Sequence, residues 1–539
     1  MSSRQRSHDQ EIGQSGGLNP AVSERTPLLP TPVRSGDPHS ETVLDPKSKP
    51  ARELAPDALR GLLMMLMCID HTNVNLGVYP HGVGVHNEAA TTVVTAFIDG
   101  LGYYFRGASH LCASGFAFLL GFGLVYFVSS RAQRKWSASA QVGYIAKRAG
   151  AILLVNEFTF LPIILMWASL NLYPLALGAL HVLFWMFNII LPALAIDYFL
   201  VGLLVVALDY YVQPSLESLF KKKARDSNGQ LDPVSAGAID HQSRSLVSWG
   251  LDSILLTLFF VSAFATIWTA PNQGRCPPSA PSVFSDNFQE SAIDFTKVRC
   301  DLSFRVFTDF FYLQELCPNL GFISVFPPMA WISFVILGVV YARVILRLKV
   351  GSQALIGVNA ALGLIFAALF VSTRLLQYGN LSTDCLRTET QMHQKPGSNQ
   401  YLADLKSFLY VTKYSPDPAF VFLTTSINLL LLAFFSSLFS FKSRPLGALK
   451  TVLTTFGVQA LFFYFFHQLL LGFLGPALRY FAPGLYSPRD PDQFMNPEGA
   501  SWSTFFPLYA FVMTTSYFAC RSFAAFKTRK GPDSIWRFV

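Results

Sequence analysis

The sequence predicts an all-α fold: a polytopic transmembrane helical bundle of about 10 (10–11) spans with a disordered N-terminal tail. Three observations predict it. Of 539 residues, 51% are apolar and only 14% charged, with 49 Phe, whereas soluble domains carry about 25% charge. Apolar runs near ~20 residues recur along the chain, the length a helix needs to cross a bilayer. The formal charge of +8 is concentrated beside those runs, as the positive-inside rule requires. That distribution argues against a nucleic-acid partner.

Residues 1–52 are rich in Ser, Pro, Gly and charge, and are expected to form a disordered cytosolic tail. They contain no apolar core, so no cleavable signal peptide is expected. Within them, Glu24 stands four residues before the Leu28-Leu29 pair. This reads as an acidic dileucine sorting signal for lysosome-like compartments, or as chance in a low-complexity stretch.

The first span is Asp57 to Gly77, DALRGLLMMLMCIDHTNVNLG. Eleven residues separate Arg60 from His71, about 20° past three turns and roughly 16 Å of rise, so both lie on one helix face. A charge at membrane depth costs at least ~2.5 kcal/mol, and such residues usually face a protein interior or a wet cavity. Asp70 and His71 are therefore the expected chemical centre, with His71 as general base and Asp70 or a neighbouring carboxylate orienting it. Imidazole suits the task because its pKa lies near neutrality. The other reading is a polar packing cluster near the lumenal headgroups.

An amphipathic piece around 92–105 precedes a second span at 107–129. There Arg106 and His110, spaced i, i+4, share a face. Arg106 suits phosphate or carboxylate, and His110 a second proton carrier; an interfacial anchor and a packed histidine serve equally. The third span, about 148–168, follows Lys147-Arg148 and carries Glu157. The region 174–212 is read as one crossing plus an interfacial or re-entrant piece. A cytosolic loop at 213–247 carries KKKAR. Further spans are expected at about 248–269, 322–346, 353–374, 417–438, 449–474 and 505–525, the ninth holding His467 in LFFYFFHQ.

Four of the seven Cys fall in the loops 270–320 and 378–416, which the charge rule places in the lumen. Disulfides are expected there. The sequon Asn380-Leu-Ser382 falls on the same side. His81 and His86 sit in the loop after the first span. No metal-ligand spacing, Walker loop, Rossmann glycine pattern or GxSxG is present. The absence of a sustained internal repeat argues against an inverted-repeat transporter.

Taken in order, eight stretches resemble the heparan-alpha-glucosaminide N-acetyltransferase catalytic domain family. They are APDALRGLLMMLMCIDH, FRGASHLCASGFAFLLGFG, KRAGAILLVNEF, FPPMAWISFVILG, STRLLQYGN, SFLYVTKYSPDP, TFGVQALFFYFFHQ and YFACRSFAAFKTRK. The resemblance runs over about 52–539, with the long loops unmatched. It adds Arg374 and Lys413 to the candidate residues. In the broader membrane acyltransferase group the first-span histidine is the expected catalytic residue, which corresponds to His71. In the lysosomal-type enzyme it lies just after that span, which corresponds to His81 or His86.

The resemblance implies transfer of an acetyl group from cytosolic acetyl-CoA to a sugar amine or hydroxyl in the lumen, at a vacuolar or lysosomal membrane. Arg60, Arg106, Lys147 and Arg148 would hold the phosphates of CoA. His71, Asp70 and His110 would handle the acceptor's proton. A proton-coupled transporter and a catalytically silent relative are the alternatives, and a homodimer is left open.

Overall fold

The computed structural model describes residues 54–79, 93–98, 100–169, 186–188, 190–228, 233–276, 310–312, 315–317, 322–324, 326–439, 444–488, 498–531, 534 and 536. They belong to a unit spanning Glu53–Val539. The N-terminal tail with its dileucine pair, His81, His86 and Cys300 lie outside the described residues.

Among the described residues, twelve longer helices build the bundle. They are α1 (Ala55–Leu76), α2 (Leu101–Gln133), α3 (Ala138–Ser169), α4 (Ile190–Ala207), α5 (Gln213–Asn228), α6 (Pro233–Thr269), α7 (Pro328–Leu348), α8 (Ser352–Leu376), α9 (Pro418–Leu438), α10 (Arg444–Val458), α11 (Ala460–Phe481) and α12 (Trp502–Thr528). Among the described residues, seven helical stretches are long and apolar enough to cross a membrane. They are α2, α4 with its extension to Lys223, the part of α6 from His241, α7, α8, α9 and α11. The chain is thus an all-α, multi-pass membrane protein. Helices α1, α3 and α12 lie at the other expected spans. Among the described residues strand occurs in three-residue pieces: Met186–Asn188 pairs in parallel with Phe322–Ser324, which also pairs antiparallel with Glu315–Cys317, and Tyr486–Pro488 pairs antiparallel with Glu498–Ala500.

Helix α1 begins on Pro56 with Asp57 in its first turn, both favourable at a helix N-terminus. It ends on Gly77 at φ 64°, whose N–H returns to the Asn73 carbonyl. Across its start lies α10. A methyl built on Gly61 would overlap the Leu453 carbonyl, and one on Gly457 the Asp57 carbonyl. Glycine at both positions lets the two backbones touch.

Three expectations are corrected. The single span at 449–474 is two helices, α10 and α11, broken at Gln459. The amphipathic piece at 92–105 is not one unit: Val94 bridges to Leu386, and the part from Leu101 is the first turn of α2. Asn380 is not a surface acceptor but is buried, its Nδ2 donating to the Thr373 carbonyl (2.8 Å) and its Oδ1 accepting from Arg374. A glycan has no room there.

A disulfide joins Cys276 to Cys385, so the segments following α6 and α8 share one end of the bundle, as expected. Arg374 threads that end. Its guanidinium lies 4.4 Å from the Tyr401 ring centroid and 4.9 Å from that of Phe370, and donates to the Tyr410 carbonyl. Burial pushes the Tyr401 phenol up from its usual pKa, against the pull of Arg374. At the opposite end a π-turn, Leu208–Val212, carries Asp209 to Arg343 (2.6 Å). Arg343 also bonds Asp252 (2.7 Å) and thereby ties α4, α6 and α7 together.

Candidate functional site

The site forms where α1 crosses α11. His71 Nδ1 lies 2.8 Å from His467 Nε2. The two ring planes differ by 10° with centroids 5.1 Å apart, as an in-plane N–H···N bond requires. His467 Nδ1 lies 2.7 Å from the Phe463 carbonyl. A carbonyl only accepts, so Nδ1 of His467 carries hydrogen. Its Nε2, in the neutral ring, therefore accepts, and His71 Nδ1–H donates to it. That leaves His71 Nε2 as a lone-pair nitrogen, 3.3 Å from the Gln468 amide Nε2, which donates to it. The hydrogen-bond network fixes these tautomers.

Local sequence explains the placement. Tyr464, His467 and Gln468 stand at i, i+3 and i+4, one face of α11. His467 is fully buried and His71 half-buried. Tyr464 meets both imidazoles edge-on, its ring centroid 6.2 Å from that of His71 and 5.9 Å from that of His467. Asn75 Nδ2 donates to the His71 carbonyl (2.8 Å) and fixes the last turn of α1.

Asp70, one residue earlier, points elsewhere, as adjacent helical residues do. Its carboxylate lies 3.9 Å from Lys413 Nζ, both buried. The expectation that Asp70 orients His71 is therefore corrected: His467 does. Lys413 also lies over the rings of Tyr414 and Phe326.

The other candidates sit on several elements. His110 packs 5.3 Å from the Phe420 ring on α9. Arg106 is buried at the His71 end, donating to the Val411 carbonyl (3.2 Å) with its guanidinium over Tyr410. That corrects its grouping with Arg60, Lys147 and Arg148. Arg60 bonds Asp57 (2.8 Å) at the far end of α1. Lys147 and Arg148 are exposed on α3, Arg148 over the Tyr198 ring. Glu157 accepts from Asn156 (3.2 Å), and Arg374 is locked in the packing described above. Among the described residues no group of three or more His, Cys, Asp or Glu is disposed to hold a metal.

Sequence reasoning missed Tyr464, Gln468 and Asp197. Tyr464 and Gln468 were legible as the i−3 and i+1 neighbours of His467. Asp197 lies fully buried on α4 with neither carboxyl oxygen hydrogen-bonded among the described residues.

Compared with known proteins, the chain matches no family model and no curated sequence.

Proposed function

We propose that the protein is an integral membrane acyltransferase that moves an acetyl group from acetyl-CoA to a sugar amine or hydroxyl. The observation that supports this most is the chain Gln468–His71–His467–Phe463. It presents one basic nitrogen, His71 Nε2, backed by a second imidazole. An acceptor N–H or O–H takes the place of the Gln468 amide and gives its proton to Nε2 as it attacks the thioester. His71 can then pass its Nδ1 proton toward His467 Nε2, so the charge is shared between two rings. A neutral histidine in the orienting position avoids burying a permanent charge at membrane depth.

The acetyl-CoA end is assigned to the Arg60 side. Arg60, Lys147 and Arg148 supply cations for its phosphates, while Arg106 serves the acceptor end. The tail's dileucine pair supports a vacuolar or lysosomal membrane, and Leu28→Ala with Leu29→Ala should then move the protein to the cell surface.

The deciding experiment is labelled acetyl transfer from acetyl-CoA to a panel of glycans in membranes carrying the protein. Transfer that depends on His71 supports the reading; its absence across the panel sinks it.

A proton-coupled transporter is the second reading, and Asp197 favours it. A carboxyl in a membrane-spanning helix with no partner among the described residues is a functional candidate by default. Proton-driven solute uptake into proteoliposomes, lost in Asp197→Asn, would replace the first reading with this one.

A further inference from the structure

We propose that the Tyr464 hydroxyl is a catalytic hydrogen-bond donor of this site, placed for the oxygen that gains charge during acyl transfer. The assignment rests on the acyltransferase reading and adds a residue to it. Tyr464 is almost wholly buried, and among the described residues its hydroxyl makes no well-formed hydrogen bond, the Gln468 side chain beside it being its polar neighbour. A buried hydroxyl left without a full hydrogen bond costs ~1–3 kcal/mol, and at membrane depth bulk water is not at hand to relieve it.

The surrounding sequence sharpens the point. In LFFYFFHQ the neighbours at 462, 463, 465 and 466 are all Phe, so packing alone needs no hydroxyl at 464. The one ring that carries it stands edge-on to both imidazoles, at 82° to His71 and 81° to His467. It also shares its helix face with Gln468, whose amide marks the acceptor's position. Base and donor thus converge from α1 and α11.

The step balances as follows. The acceptor nitrogen or oxygen attacks the thioester carbonyl carbon while its proton passes to His71 Nε2. The carbonyl π pair moves to oxygen, and Tyr464 O–H donates to that oxyanion. Collapse re-forms the carbonyl and breaks the C–S bond. The thiolate takes the proton from the imidazolium and leaves as coenzyme A.

The test uses the purified full chain in lipid nanodiscs, labelled acetyl-CoA, and glucosamine or glucose as acceptor. Loss of an oxyanion donor lowers turnover by about 10²–10³-fold. Tyr464→Phe should therefore reduce kcat by about that factor, with KM for acetyl-CoA little changed and thermal stability equal to or above the wild type. Wild-type kcat in Tyr464→Phe overturns the donor assignment alone, leaving His71-dependent transfer intact. A fall in stability with proportionate loss of all activity overturns it in favour of a packing role. No transfer by the wild type overturns the acyltransferase reading and the donor assignment with it.

Discussion

Two neutral rings in series behave differently from an imidazole backed by a carboxylate. His467 can accept the Nδ1 proton of His71 but brings no standing negative charge, so it contributes orientation and charge sharing more than electrostatic pull. General-base catalysis typically contributes 10²–10⁴-fold, and His71→Ala should lower acetyl transfer by about that factor. His467→Ala should cost less, because Nε2 of His71 survives. The double variant should be little worse than His71→Ala alone, since the two act through one hydrogen bond (2.8 Å). A double-mutant cycle on kcat measures this, and additive losses would show that the rings act separately. His71 was legible from its 11-residue spacing to Arg60 and from the rarity of ionisable groups in a span. His467 was legible only as a histidine in lipid. Its partnership with His71 spans 396 residues, and no local pattern encodes that distance.

At the scale of elements, the bundle is held by backbone contact at glycine-lined crossings, α1 with α10 and α2 with α7, and by charge elsewhere. Gly61 and Gly457 bring α1 against α10 with no side chain between them, so Gly61→Ala or Gly457→Ala forces the helices apart. Overpacking of this kind costs about 1–3 kcal/mol. Each variant should melt earlier in detergent, whereas Gly123→Ala, with open space around its Cβ position, should not. Arg343 is the other tie. Removing it leaves Asp209 without its cation while Asp252 keeps Arg347, so the loss should fall below the ~3–5 kcal/mol of a fully broken buried pair; thermal denaturation of Arg343→Ala checks this. The helices themselves were legible because apolar run length is set by bilayer thickness. The break at Gln459 was not, since hydropathy runs smoothly through it and the close approach at Gly457 is a tertiary demand. Nor was the π-turn at Leu208–Val212, which takes its value from Arg343, more than a hundred residues away.

On the scale of the whole molecule, one end is stitched by covalent and polar links that bring distant loops together. The disulfide joins residues 109 apart, Val94 bridges to Leu386, and Arg374 connects α8 to Asn380 and to the Tyr410 carbonyl. The sequence placed four cysteines on this side, but pairing depends on approach in space and could not be read. The same stitching overturns the expectation at Asn380. A sequon records only a local tripeptide, whereas here its amide fills the hydrogen-bonding positions of Arg374 and Thr373. Glycosidase treatment should therefore leave the mobility of the wild-type protein unchanged, and a shift abolished by Asn380→Gln would show that the side chain reaches solvent. Asn380→Gln should itself destabilise the fold, because the longer amide cannot meet both partners. Cutting the disulfide should act on the same end. In the chain-entropy account a loop of about 100 residues is worth up to ~4.7 kcal/mol, an upper bound for a chain whose unfolded state is already confined by membrane helices. Cys276→Ser and Cys385→Ser should each lower the melting temperature by similar amounts, and the double variant by no more than either. That non-additivity, read by thermal denaturation with and without reductant, separates a shared bond from two independent packing losses, which would sum.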